Sequence, residues 1–454
     1  MQSTTYNIHQ VMIMSETEVR DLYGRRYRVG TRDRDVLGYS RGWVLAAGWL
    51  AMLAVSANQY GYGVLAPRLA PHSGPVVLLG LALWGACHSL TTGALLWLRP
   101  RMRVAPGPAT AVGAALCALG MLALGHLTSP AIALTGYGLL SGVGTGLVYR
   151  TAMATVTGWY PDRPVRVAAV SGAFAYGSIP LILVGASARD LPGAVDKAAF
   201  GMLVAVLACA AVLREPPSHW WPAHLDPRRW AVDKTINPVL RHDRPAIRQH
   251  STAEVLRCPV SVTMAALTVC VSAVALFDTG FLAWYGIAGS WRIRATVVIA
   301  FALGSGGIRA PAVWAAGRVG RRRVVRSAFA LGSVAQWGLL AAHHALVPLL
   351  LASCAAGAAV GTWYALFPGL VRSHFGDRPG LPNLWLVYSA KAVGSVVGVG
   401  GGLLLVLDEG YPAAVAVSST VCLIGLGLVR LLHQPGMPRT LPHMYAIYRP
   451  ARGR

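Results

Sequence analysis

Three cations and one acid of this 454-residue chain lie where ions are costly, inside long apolar stretches: Arg150, Arg309, Lys391 and Asp278. An ionisable group at the centre of a bilayer costs about 2.5–3.5 kcal/mol on insertion scales, so such residues face cavities and carry function. Lys391 falls eight residues into the stretch 383–406, and Arg309 seven residues before the end of 293–316. At the helical rise per residue these are depths of about 12 and about 10 Å from one membrane face. Two cations at matching depth on different helices can share a pocket, and the chemistry they offer is capture of an anion. Of the 40 Lys and Arg only three are lysines (Lys197, Lys234, Lys391). A lysine at 391 therefore suits a site that uses a compact, flexible ammonium in place of a planar guanidinium. Snorkelling to the interface suits a residue within one turn of a helix end better than one two turns in.

Arg150 follows Tyr149; it either extends the anion site or pairs with Asp278. Asp278 lies in the outer half of its stretch and reads as a structural ion pair, an interfacial carboxylate or a proton-coupling group. Aromatic and amide side chains gather near the same depth: Gln59, Tyr60, Tyr62, Tyr149, Trp363, Tyr364 and Tyr388. Tyr388 is three residues before Lys391, on the same helical face. Tyrosine hydroxyls donate to carboxylates while their rings exclude water. Interfacial belts also use Tyr and Trp; Tyr60 and Tyr62 fit that reading too, whereas Tyr388 is too deep for it. The candidate substrate-binding set is thus Arg309, Lys391, Tyr388, Tyr60, Tyr62, Gln59, Tyr149, Tyr364, Trp363 and Arg150.

The elements that must position these residues follow from composition. The chain is 55% hydrophobic and 13% charged, against about 25% charged in soluble domains. About 20 apolar residues in a helix cross a hydrocarbon core of ~30 Å. Only helices or closed barrels satisfy their backbone in lipid, and these stretches lack the alternation of barrel strands. Twelve spans are expected: 42–64, 75–98, 107–127, 131–157, 166–188, 196–213, 259–283, 293–316, 324–342, 345–368, 383–406 and 411–432.

The net charge of +23 has a direction. Apart from the three cations inside spans, only Arg68, Arg189, Lys197, Arg292 and Arg294 fall on one side of this topology; all other Lys and Arg fall on the other. The positive-inside rule then places both termini in the cytoplasm and makes the charge an orientation signal facing anionic lipid, not a nucleic-acid footprint. Seven scattered cysteines without a CxxC pair imply neither a disulfide framework nor a metal site. No cleavable signal peptide is expected in the polar first 41 residues.

The expected organisation is an N-terminal arm (1–41), a six-helix bundle (42–213), a cytoplasmic central loop (214–257), a second six-helix bundle (258–432) and a tail (433–454). Arm and tail read as poorly ordered. Two six-helix halves joined by a long loop suit rocking about a midplane site. Gly142, Gly144 and Gly146 in the fourth span, and Gly394, Gly398 and Gly402 in the eleventh, permit close helix approach, either as static packing or as a sliding seam. The loop Gly317-Arg318-Val319-Gly320-Arg321-Arg322-Arg323 suits a tight cytoplasmic turn; Arg99-Pro100-Arg101-Met102-Arg103 is its weaker counterpart.

These residues carry a resemblance. Gln59-Tyr60-Gly61-Tyr62, the Gly-rich run 142–149 ending in Trp159-Tyr160-Pro161-Asp162-Arg163, Pro216-Pro217, Glu254-Val255-Leu256-Arg257, Gly307-Ile308-Arg309, Tyr364-Ala365-Leu366-Phe367-Pro368 and Asn383 to Lys391 resemble, in order, elements of the oxalate–formate antiporter family of the major facilitator superfamily. The resemblance implies an all-α, twelve-helix membrane fold in two bundles, with Arg309 and Lys391 binding substrate carboxylates in an aromatic-lined cavity. Tyr62 stands where that family has Trp, Gly317 where the loop motif has an acid, and Arg150 where a small residue is usual.

The expectation is a secondary transporter of small organic anions, mono- or dicarboxylates, in the cell membrane, acting as a monomer without cofactor or metal and without enzymatic activity. The competing expectation is an exporter of a larger metabolite or drug in the same fold. No nucleotide-binding loop argues for a primary pump.

Overall fold

A computed structural model describes residues 17–98, 105–284, 290–342, 345–377 and 381–435. Among these residues the apolar stretches are helices, the form in which each backbone group finds its partner locally. Ten helices are long and apolar enough to cross a membrane, eleven with a bent pair counted as one span. In chain order, α1 is the discontinuous segment 41–69, built from Arg41–Val55, Ala57–Tyr60 and Tyr62–Leu69. Then come α2 (Leu79–Leu98), α3 (Pro106–Gly125), α4 (Pro130–Trp159), α5 (Pro164–Ser187) and α6 (Leu191–Val212). The second set is α7 (Pro259–Phe281), α8 (Trp291–Gly307 with Arg309–Val319), α9 (Arg321–Ala341), α10 (Leu346–Phe375), α11 (Pro382–Asp408) and α12 (Tyr411–Leu431). Twelve elements thus stand where twelve spans are expected, and the fold is all-α.

Several ends differ from the hydropathy reading. α10 runs to Phe375, past Pro368 and Arg372, and α6 begins at Leu191, where Asp190 accepts from the Gly193 N–H at 3.0 Å. Hydropathy marks where lipid ends; a helix with a good cap continues into water.

α1–α6 pack among themselves, as do α7–α12, and the two sets meet along α2–α11, α5–α8 and α1–α7. At the α5–α8 seam a Cβ on Gly172 would lie 2.7 Å from the Gly306 carbonyl oxygen, and at the α1–α7 seam a Cβ on Gly63 would meet the Thr279 carbonyl more closely still. The Gly394/Gly398 face of α11 instead packs on Ser272 and Ala273 of α7, within one set. Static packing therefore accounts for that face.

The arm is ordered from Thr17 onward, contrary to expectation. Strands β1 (Thr17–Arg20) and β2 (Arg26–Val29) pair antiparallel, with Thr17 opposite Val29. Asp21 pins the turn, accepting from the Tyr23 and Arg25 amides, the Arg25 Nε (2.6 Å) and the Tyr27 hydroxyl (3.0 Å). Burial raises the Tyr27 phenol above its ordinary value, which keeps it a donor. The central loop completes the unit. Arg28 N–H donates to the His219 carbonyl (2.8 Å), Trp221 N–H to the Arg28 carbonyl (3.0 Å) and the Trp220 indole to the Thr31 carbonyl (3.1 Å). Arg41 then fastens the arm to the end of α4, through the Trp159 carbonyl (2.7 Å) and Asp162 (3.0 Å). The reading of disorder failed because the partners of this hairpin lie almost 200 residues away. Residues 1–16 and the tail beyond 435 lie outside the described residues, as does the loop 99–103.

Gly320 has φ +95, the left-handed region that favours glycine, so the expected turn before α9 is present. Asp243 of the central loop sits beside it, accepting from the Arg321 N–H at 3.1 Å with the guanidinium 3.8 Å away. It supplies the acid that residue 317 does not.

Candidate functional site

Three helices break where the site forms. Pro311 lacks the N–H that would bond the Gly307 carbonyl, and α8 bends by 40° at Ile308, immediately before Arg309. α11 is interrupted at Ser389 and Ala390, immediately before Lys391, and continues as a π-helical segment, Val396–Gly401. α1 breaks on both sides of Ala57–Tyr60. Irregular backbone at membrane depth is tolerated where protein surrounds it or a cavity adjoins it.

Arg309 and Lys391 are each 2% exposed. Arg309 reaches across the seam: Nη1 donates to the Ser171 carbonyl (2.7 Å) and hydroxyl (2.5 Å), and Nε to the Ser305 carbonyl (3.2 Å). Lys391 Nζ lies 5.3 Å from the Trp84 ring, also across the seam. The Tyr364 ring lies 5.7 Å from each cation. Among the described residues no carboxylate forms an ion pair with either, and the two charges act on each other.

The aromatic wall is continuous. Tyr388 lies 5.8 Å from Lys391 Nζ and stacks on Tyr149 with centroids 5.8 Å apart. The Tyr60 and Ser305 hydroxyls hydrogen-bond at 3.0 Å, and those of Tyr364 and Ser272 at 3.1 Å. Gln59 is buried and its Oε1 has no hydrogen-bond partner. A cavity of about 190 Å³ opens from the central-loop side, between Asn237, Asp243 and Arg321, and rises to Ser171 and Tyr364, two of the residues that border Arg309.

Six of the expected residues therefore come together: Arg309, Lys391, Tyr388, Tyr60, Tyr149 and Tyr364; Gln59 is buried next to Tyr60 in the chain. Four expectations need correction. Tyr62 stacks on Tyr137 at 4.1 Å and donates to the Val77 carbonyl at 2.7 Å, bracing the first bundle. Trp363 packs between Phe329 and Phe367 and lines a separate 20 Å³ cavity with Gln336. Arg150 donates to the Thr92 carbonyl at 2.5 Å and lies 5.8 Å from the Trp385 ring, on the rim of the cluster. It forms no pair with Asp278, which accepts instead from Gln336 Nε2 at 2.8 Å in the other bundle.

Trp84, His88, Ser171, Phe174, Ser305 and Trp385 join the cluster without having been singled out. His88 carries a signal, being an ionisable residue within an apolar stretch, but an imidazole neutral at pH 7 is less conspicuous there than a Lys, Arg or acid.

No protein-family model matches the chain. Over 145 residues, 30% of its length, it is 32% identical to the "Uncharacterized 38 kDa protein in 23S RNA operon" of Thermoproteus tenax, and the match spans 37% of that protein. Among solved structures it is similar to the E.coli fucose:proton symporter FucP, with a TM-score of 0.57 and 12% identity over 87% of this chain and 98% of that one. A second structure of FucP, a major facilitator superfamily transporter in the outward conformation, gives a TM-score of 0.56 and 14% identity over 87% and 99% of the two chains. At such identity the likeness shows the fold: this is a multi-pass membrane protein with the major facilitator fold.

Proposed function

With the major facilitator fold as premise, we propose that this chain is a secondary transporter of small organic anions, of the mono- or dicarboxylate kind handled by the oxalate–formate antiporters it resembles. One observation carries the reading: two buried cations from different helices flank one tyrosine, and no carboxylate of the described residues neutralises them. FucP is named for fucose, a neutral sugar, and for protons; a neutral solute would leave both charges uncompensated. An anion between them supplies the missing charge, with Tyr60, Tyr364 and Tyr388 as hydrogen-bonding walls. The tight enclosure favours a small substrate over a bulky drug. Transport then proceeds by alternating access, as antiport or proton symport, in the cell membrane, with cytoplasmic termini and a single chain as the working unit.

The test is uptake into proteoliposomes loaded with a panel of carboxylates. Arg309→Gln and Lys391→Gln each lower carboxylate transport by at least tenfold, whereas Trp363→Phe does not. Unimpaired transport in both charge variants would refute the roles given to these residues.

A further inference from the structure

Two polar atoms beside Lys391 have no partner at all. Trp84 and His88 lie four residues apart on one face of α2, both with no exposed surface, and their rings stack at 5.1 Å. The Trp84 indole Nε1 and the His88 Nδ1 lack any hydrogen bond. Buried polar atoms are nearly always paired, and each orphan costs the desolvation of its group. The pair is not remote from the cations: Lys391 Nζ lies 5.3 Å from the Trp84 ring, and His88 Nε2 is hydrogen-bonded to the Tyr388 hydroxyl at 3.1 Å. A phenol donates more readily than a neutral imidazole N–H, and with Tyr388 as donor the ring proton of His88 sits on Nδ1. The indole is a donor only. Both orphans are then N–H groups, one on the ring 5.3 Å from the ammonium and the other on the ring stacked against it. The Arg309 side of the cluster is furnished differently, since Ser171 and Ser305 already accept from its guanidinium.

We infer that Trp84 and His88 are substrate-contacting specificity residues that donate hydrogen bonds to a second oxygen function of the anion. The substrate class is thereby narrowed to carboxylates with a keto, hydroxyl or second carboxyl oxygen close to the first carboxylate. This rests on the anion-site reading above and goes beyond it, because the cations alone would accept a plain fatty acid equally well. A site built to hydrogen-bond a polar group discriminates strongly against the analogue lacking it, because its own buried groups are left unpaired.

The experiment is equilibrium binding to the purified full chain by titration calorimetry, with oxalate, pyruvate and lactate compared with acetate and propionate. In the unmodified protein the bifunctional acids bind at least tenfold more tightly. His88→Phe keeps the ring stack but removes Nδ1–H together with the Nε2 acceptor of Tyr388, and Trp84→Phe removes the indole N–H alone. Each lowers the affinity for bifunctional acids by about 10- to 100-fold and leaves that for acetate and propionate within about threefold. His88→Gln, which retains a donor, recovers part of the preference. An unchanged ratio between the two classes in His88→Phe and Trp84→Phe, whether both weaken together or neither weakens, overturns the inference while leaving the anion site standing. Absence of binding by every carboxylate to the unmodified protein overturns the anion site itself, and this inference with it.

Discussion

Gly172→Ala should act on the equilibrium between conformations and not on folding. Its added Cβ would stand 2.7 Å from the Gly306 carbonyl oxygen, and the reciprocal Cβ on Gly306 would stand 2.8 Å from the Gly172 oxygen. Relaxed contacts of this kind need about 3.4 Å or more. The nearest neighbour of the Gly172 Cβ is backbone, so α5 and α8 must part by about 0.7 Å to make room. These helices belong to different bundles, so the clash exists only while the seam is closed. The helix-propensity gain of Gly to Ala, up to about 1 kcal/mol, is common to both conformations and cancels. Overpacking of this size costs about 1–3 kcal/mol, which corresponds to an approximately 5- to 150-fold shift in population. Spin labels at Val165 on α5 and Val319 on α8, both exposed, report the separation by pulsed electron resonance. The variant should populate longer distances, and Gly201→Ala should not, since nothing lies within 4 Å of a Cβ there. Ser171, which holds Arg309, moves with the same helix, so carboxylate affinity should fall in parallel. An unchanged distance distribution in Gly172→Ala would refute the claim that this contact holds the seam.

Tyr62→Phe should destabilise the protein by about 1–3 kcal/mol, because the buried Val77 carbonyl loses its donor. Its thermal midpoint falls while carboxylate affinity stays within twofold; a large affinity loss would return Tyr62 to the binding site. Arg41→Ala removes the tie between the arm and the Trp159 carbonyl and Asp162. Limited proteolysis should then cut within residues 17–40 several times faster, and equal rates would show that the Trp220 and Trp221 contacts suffice alone. Gln336→Leu deprives Asp278 of its donor and should destabilise by roughly 1–3 kcal/mol, whereas Asp278→Asn, still an acceptor, should not; thermal unfolding of the two variants decides.

The membrane elements were legible because lipid imposes length and apolarity on each span separately. The same logic found Arg309 and Lys391, since a charge in such a span is conspicuous without a partner being known. What resisted reading was the direction of side chains at helix breaks. Tyr60 and Tyr62 are two residues apart and straddle the Gly61 interruption; one bonds Ser305 across the seam and the other braces α4. Trp363 and Tyr364 are adjacent and leave α10 on different sides, toward Phe329 and toward the cations. Neither choice follows from depth. By contrast Tyr388 and Lys391, three residues apart, do face one pocket, although the break between them makes that outcome more than a matter of helical spacing. The hairpin 17–29 escaped for another reason: each strand is four residues long, and its stabilising tryptophans belong to the central loop.

Both cations touch the opposite bundle, and this links binding to motion. Arg309 of the second bundle is held by Ser171 of the first, and Lys391 faces Trp84 of the first. Each lies 5.7 Å from the Tyr364 ring, so the charges are no more than twice that distance apart. At an effective dielectric of about 20, two unit charges about 11 Å apart repel by roughly 1.5 kcal/mol, and more if closer. Closing the seam also strips water from both. The empty site therefore works against its own closure, and an anion between the cations turns the repulsion into two attractions. A ligand shifts a conformational equilibrium only by its differential affinity for the two states. Here the differential arises from the geometry, because both cations sit on the second bundle and lose their water only when α5 and α2 lie against α8 and α11. Small residues such as Gly172, Gly306 and Ser171 let α5 and α8 come together closely, and on the function proposed above the charge of the anion decides whether they do.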